Sequence, residues 1–161
     1  MTIGLDDLAA ELGIRRAIYR YCRGVDRGDV AMIASAYHED ADENHGAFQG
    51  TGRQFAEHLV PLMDAAPETS GHHVTNILIE RRGNTANVES YFMAFHAQNE
   101  GGRAFVTGRY LDHFTCRDGD WKIAHRRVVI DSDSPAMESM NLADYPRGKR
   151  READPSHGWI V

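Results

Sequence analysis

The sequence predicts an α+β domain in which three helices cover the apolar face of a curved antiparallel sheet. Two observations predict it. Apolar residues recur at helical steps as far as Met63, and after Pro67 the period changes to two, interrupted by two hairpin turn signals. Leu5, Leu8, Leu12, Ile18, Cys22 and Val25 mark a first helix with Gly13 as its weak point, and Gly28 supplies a left-handed stop. Asp29 suits the N-cap of a short second helix, Val30 to Tyr37. A polar loop follows, then a third helix from Gly52 to Met63 with Phe55, Leu59 and Leu62 inward. His73–Arg81 and Thr85–Ala97 read as strands joined by Arg82-Gly83-Asn84. Arg103–Arg117 and Trp121–Asp131 read as a second pair across Asp118-Gly119-Asp120. If the sheet curves, the space under the helices is a cone that side chains need not fill. From Ser132 onward Pro, Gly and charge dominate. Residues 1–131 are therefore expected to form the domain, and 132–161 an irregular extension packed on it or on a neighbouring subunit.

With 161 residues, 42% hydrophobic and 26% charged, the chain suits one globular domain. A net charge of −6 with 18 Lys+Arg speaks against nucleic-acid binding, which needs a basic face. The basic run Arg147, Lys149, Arg150 and Arg151 reads as a solvated tail or subunit contact. No stretch approaches the roughly 18 apolar residues of a membrane span, and the acidic start, Met1 to Leu12, is unlike a secretory signal. Cys22 and Cys116 carry no pair motif and read as reduced thiols of a cytoplasmic protein. Nine histidines raise the question of a metal. Yet no His-Glu-x-x-His spacing, Cys pair or Gly-rich phosphate loop is present, so no metal and no other cofactor is expected.

Three stretches carry a family resemblance. Tyr21-Cys22-Arg23-Gly24-Val25-Asp26-Arg27-Gly28-Asp29 resembles the end of the first helix of the nuclear transport factor 2-like superfamily. Tyr37-His38-Glu39-Asp40-Ala41 resembles the close of its second helix, and Asp118 to Arg126 its last hairpin. Together they cover Leu5 to Asp131, and they imply that superfamily's cone-shaped α+β barrel. Within it the chain is most similar to the SnoaL-like branch, which includes scytalone dehydratase, hexachlorocyclohexane dehydrochlorinase and bile-acid 7α-dehydratase. Those enzymes pair an Asp at the end of the first helix with a His at the start of the first long strand. Asp26 matches the first; in His72-His73-Val74-Thr75-Asn76 the His-x-x-x-Asn spacing points to His72. The resemblance further implies roles for Tyr21 and for Arg126, the latter matching an Arg that points into the pocket of several relatives.

The residues support the same chemistry. Elimination needs a base near neutral pKa, which imidazole supplies, and a fixed acid such as Asp26 to orient it. Tyr21 could donate a hydrogen bond, and Arg126 could hold an anionic oxygen. Strand alternation sends one of His72 and His73 to each face, and the residues alone leave open which one is inward. Asp26 could equally be a solvated turn residue, and Tyr21 a core tyrosine. Parity with Trp121 and Ile123 puts Arg126 on the opposite face unless a bulge intervenes. Tyr91, Phe95, His96, Tyr110 and Trp121 suit a pocket wall, with His73 beside them. The expectation is a cofactor-independent, dehydratase-like lyase acting on a cyclic, largely apolar small molecule such as a steroid or polyketide. An isomerase or cyclase using the same pocket is the alternative, as is a non-catalytic ligand-binding or assembly subunit. One wet apolar sheet face makes a homo-oligomer, dimer or trimer, the expected state.

Overall fold

In the computed structural model, which describes residues 4–65, 67–98, 103–135 and 151–153, helix α1 (Leu5–Arg27) runs unbroken through Gly13. It buries Ala10, Ile14, Ala17, Ile18, Tyr21, Cys22 and Val25, but Leu5, Leu8 and Leu12 are exposed by 84%, 47% and 56%. The expected stripe is therefore wrong over the first half. Gly13 lies against Trp121, where a Cβ would come within 3.0 Å of the indole Cδ1. This close approach turns the Leu8–Leu12 face outward. Gly28 ends the helix at φ 64°, with the Asp29 amide closing on the Gly24 carbonyl at 2.8 Å.

Asp29 caps α2 (Val30–Ser35) by accepting from the Met32 amide at 2.9 Å. That helix stops before Tyr37, which instead opens β1 (Tyr37–His45), followed by β2 (Phe48–Gly50). The expected polar loop is thus a pair of strands. They escape sequence patterning because β1 buries only Tyr37, Ala41 and Glu43, the last of them charged. Helix α3 (Gly52–Ala65) buries Phe55, Ala56, Val60 and Met63. Leu62, expected inward, is 55% exposed, because it sits about 100° round the helix from the centre of that stripe.

The four long strands are β3 (Pro67–Arg82), β4 (Thr85–Gln98), β5 (Arg103–Arg117) and β6 (Asp120–Pro135). They pair antiparallel in sequence order, and β1 adds parallel to β6, giving one open mixed sheet ordered β2-β1-β6-β5-β4-β3. Asp118 and Gly119 take φ 54° and 84° in the β5–β6 turn, the pair of positive values a tight hairpin needs. The helices cover the inner face, where Ala86, Val88, Phe92, Ala94, Tyr110, Phe114 and Ile123 join the core. Two bulges decide what faces inward. One lies in β3 between Val74 and Ile77, and the other spans Ala124 in β6, where Ile123 pairs with Phe114 but His125 with His113. Past Ala124 the parity reverses, leaving Arg126 buried. Among the described residues no helix is long and apolar enough to cross a membrane. The extension expected over 132–161 mostly lies outside the described residues; the short turn Arg151–Ala153 meets the domain through Arg151, 2.7 Å from Asp64 of α3.

Candidate functional site

Asp26 sits in the last turn of α1, and His72 lies on the inward-facing row of β3 with Ser70 and Val74. The curvature of the sheet lays this end of β3 under α1. Three groups converge on the Asp26 carboxylate. His72 Nδ1 lies 2.6 Å from Oδ1, the Ser70 hydroxyl donates to Oδ1 at 3.1 Å, and the His72 backbone amide donates to Oδ2 at 2.9 Å. Burial opposes ionisation of Asp26, but the His72 ring, the His72 amide and the Ser70 hydroxyl outweigh it, and the carboxyl lies below the usual aspartate value. An ionised carboxylate can only accept, so Nδ1 carries the hydrogen and Nε2 is left bare. No described residue bonds that Nε2. The two side chains are 9% and 13% exposed and border a cleft of about 410 Å³ between Cys22 and Arg23 of α1 and Val74 of β3. The ring packs near Phe92 at 6.4 Å and edge-on to His96 at 5.7 Å. This is a sheltered imidazole with a fixed tautomer and a nitrogen open to a ligand.

A depressed Asp26 has a sign that can be tested. Its stabilisation is fully present above the unfolded value of about 3.9 and is lost as pH falls through the lower folded value. The unfolding free-energy difference between wild type and Asp26→Asn, measured in urea, should be constant near neutrality and shrink below about pH 4. A difference that grows in acid contradicts the assignment.

Arg126 reaches the inner face and is fully buried. Its Nε and Nη2 each donate to Asp112 at 2.7 Å, and Nη1 lies 3.4 Å from the Tyr37 hydroxyl. The guanidinium carbon is 4.2 Å from the ring centroids of both Tyr21 and Tyr110. The fork that sequence reasoning gave to a substrate anion is thus engaged by Asp112, and Arg126 belongs to the frame behind the cleft. Burial works against its charge, yet Asp112 keeps it protonated. Tyr21 is 1% exposed, and burial keeps its phenol well above the usual value, hence neutral. Burial likewise pushes the Cys22 thiol, at the cleft wall, up to about 12.

The structure does not bring all the expected wall residues together. His96 and Tyr110 face inward, and Tyr110 stacks on Phe92 at 4.5 Å. His73 alternates to the opposite face, near Phe95 at 5.8 Å, yet still borders the rim of the cleft. Tyr91 and Phe95 are on that outer face too, 38% and 40% exposed, because β4 keeps strict alternation with Phe92 and Ala94. Trp121 packs on Gly13, about 20 Å along α1 from Asp26. Sequence reasoning missed Ser70, Asp112, Glu43 and His45. Ser70 was within reach, two residues before His72 and so on the same face. Among the described residues no three His, Cys, Asp or Glu side chains cluster as metal ligands would.

With this geometry in place, comparison with known proteins settles the family. The SnoaL-like domain profile matches residues 6–127, most of the chain. The chain belongs to the SnoaL-like family. This SnoaL-like protein also shares the cone-shaped nuclear transport factor 2-like fold with many solved structures. One is a protein assigned as a candidate scytalone dehydratase from Novosphingobium aromaticivorans, 24% identical, TM-score 0.73, over 83% of this chain and 91% of that one. Another is hexachlorocyclohexane dehydrochlorinase LinA-type3 from Novosphingobium barchaimii, 22% identical, TM-score 0.74, over 82% and 93%. A third is Rv3472 of Mycobacterium tuberculosis, of unknown function, 25% identical, TM-score 0.70, over 81% and 78%. No curated protein sequence matches the chain.

Proposed function

We propose that this SnoaL-like protein is a cofactor-independent lyase that eliminates water or an acid from a cyclic, largely apolar small molecule such as a steroid or polyketide. The observation that carries the reading is the 2.6 Å contact between His72 Nδ1 and Asp26, in a ring that borders the cleft and whose Nε2 no described residue bonds. Nε2 takes a proton from the carbon beside a carbonyl, the C–H electron pair becomes the new double bond, and the leaving group departs from the next carbon. Asp26 holds the tautomer and stabilises the imidazolium that forms. Tyr21, neutral throughout, donates a hydrogen bond to the carbonyl oxygen as charge develops there. Arg126 acts through Tyr21 and Tyr110, against whose rings it lies, and so positions rather than reacts. Phe92 and His96 pack beside the His72 ring, an aromatic surround that favours a cyclic substrate. Dehydratase and dehydrochlorinase activities are named for two of the structural neighbours, which supports elimination over other chemistry on this fold.

The test is incubation with a panel of cyclic β-hydroxy ketones, followed by mass spectrometry. Elimination gives a product lighter by water. Isomerisation leaves the mass unchanged and would replace the reading, and no turnover across the panel favours a binding or assembly subunit. The free thiols Cys22 and Cys116 support a reducing, cytoplasmic setting.

Self-association through the outer sheet face belongs to the same reading. That face exposes Leu78, Tyr91, Met93 and Phe95. It also carries both signs of charge, with Arg109 held by Glu89 and Asp131, so a second copy laid over it meets apolar and opposite-charge surface. Phe95→Glu should lower the mass seen by sedimentation equilibrium to that of one chain, and an unchanged mass removes this interface.

A further inference from the structure

The cleft at Asp26 and His72 carries a cation that the elimination above does not use. Arg23, Asp26 and Arg27 of α1 border it, opposite His72 and His73 of β3. These five are charged groups or imidazoles among eight lining residues, so the cleft is polar enough to receive a charged ligand group. Its three charged side chains differ in what already holds them. The Asp26 carboxylate accepts from His72 and Ser70. Arg27 Nη1 donates to the Asp26 backbone carbonyl at 3.1 Å. Arg23 is half-buried, and no described residue accepts a hydrogen bond from its guanidinium or pairs with its charge.

Two further observations separate Arg23 from an arginine lying idle on a helix surface. The first is uncompensated charge. Arg16, Arg20, Arg23 and Arg27 recur at steps of four, three and four, and so share a ridge within about 60° of one another, where like charges repel. Glu11 of the same helix is taken by Arg15 at 2.7 Å, and among the described residues no carboxylate pairs with Arg16, Arg20 or Arg23. Arg20 even buries its Nε without a hydrogen-bond partner. The second is position. Arg23 precedes Asp26 by three residues, about 60° round the helix and about 4.5 Å along its axis. The guanidinium and the His72–Asp26 pair therefore border one cleft of about 410 Å³.

We infer that the substrate of this cleft carries a carboxylate beside its ring, and that the Arg23 guanidinium holds it. This assignment rests on the lyase reading for the use made of the cleft. An arginine is charged at every working pH, so its role needs no titration. Its planar fork offers two parallel N–H donors to the two oxygens of a carboxylate, a short, charge-assisted contact with a fixed direction. A substrate anchored in this way at one end is oriented at the other, which is what a base acting on one particular carbon requires. The positive field of the ridge draws anions towards the same opening. One unpaired fork matches the single charge of a carboxylate. A phosphate dianion calls for a second, and Arg27 is already tied to the Asp26 carbonyl. The substrate class narrows accordingly, from cyclic and largely apolar molecules in general to cyclic hydroxy-keto acids.

The experiment separates binding from turnover. Three cyclic ketones without a β-leaving group are titrated calorimetrically into wild type, Arg23→Gln and Arg23→Lys. One bears a carboxylate, one its methyl ester, and one a phosphate monoester in the same place. Wild type should bind the acid roughly 10- to 100-fold more tightly than the ester, and in Arg23→Gln that ratio should fall to near one. Arg23→Lys keeps the charge without the fork and should fall between the two. A ratio near one in wild type, or one that Arg23→Gln leaves intact, overturns the assignment. Tighter binding of the phosphate than of the acid overturns the choice of carboxylate. On the corresponding β-hydroxy acid, Arg23→Gln should raise KM by a similar factor with kcat little changed, whereas His72→Ala loses kcat. A loss confined to kcat in Arg23→Gln also overturns the anchoring role. Failure of wild type to release water from the β-hydroxy acid and its ester, with the acid preference in binding intact, contradicts the lyase reading and supports the anion site.

Discussion

Replacing His72 by Ala should lower kcat for elimination by about 1,000-fold or more, with KM changed little, since general base catalysis contributes on the order of 100- to 10,000-fold. Asp26→Asn should do nearly as much harm for a reason visible in the hydrogen bonds. The His72 backbone amide at Oδ2 can only donate, so the asparagine oxygen must take that position. The NH2 group then faces His72 Nδ1, which must give up its hydrogen, and Nε2 becomes the protonated nitrogen. The base is lost although the shape is kept. Steady-state kinetics on the two variants check this. If Asp26→Asn retains wild-type kcat, the carboxylate does not set the tautomer.

Arg126→Met should destabilise the fold by about 3–5 kcal/mol, because it leaves the fully buried Asp112 carboxylate without its partner. For a chain of this length that corresponds to a fall in Tm on the order of 10 °C. The double variant Arg126→Met, Asp112→Leu should recover most of the loss, since two apolar side chains of similar size need no counter-charge. Thermal and urea unfolding of the single and double variants measure both. A single variant within about 1 kcal/mol of wild type would mean that the pair is reached by water and does not organise the rings of Tyr21 and Tyr110.

The order of elements was legible in the sequence because helical spacing and alternation are strong in α3 and in the four long strands. The two short strands were not, since β1 turns Glu43 and His45 inward where patterning looks for apolar residues. The outward Leu8 and Leu12 escaped for a different reason. Two stripes compete on α1, and only the approach of Trp121 to Gly13 chooses between them. At the site, Asp26 and the two adjacent histidines were picked out by the resemblance to the SnoaL-like branch, since their residue types alone left Asp26 equally a solvated turn residue. Which of the two faces inward depends on strand register, and the structure places His72 against Asp26. Arg126 shows the limit most clearly. Its face depends on one extra residue at Ala124, and its partner Asp112 lies 14 positions away on the neighbouring strand. Tyr91 and Phe95 illustrate the converse: aromatic content suggested a pocket wall, but alternation sends both to the outer face.

The base at His72 requires the hydrogen of its neutral ring on Nδ1, and long-range 15N–1H NMR of the imidazoles reads that directly, with His72→Ala to assign the signals. In the neutral ring of His72, Nδ1 should resonate as the protonated nitrogen and Nε2 as the bare one. A protonated Nε2 in that neutral ring would contradict a base aimed into the cleft.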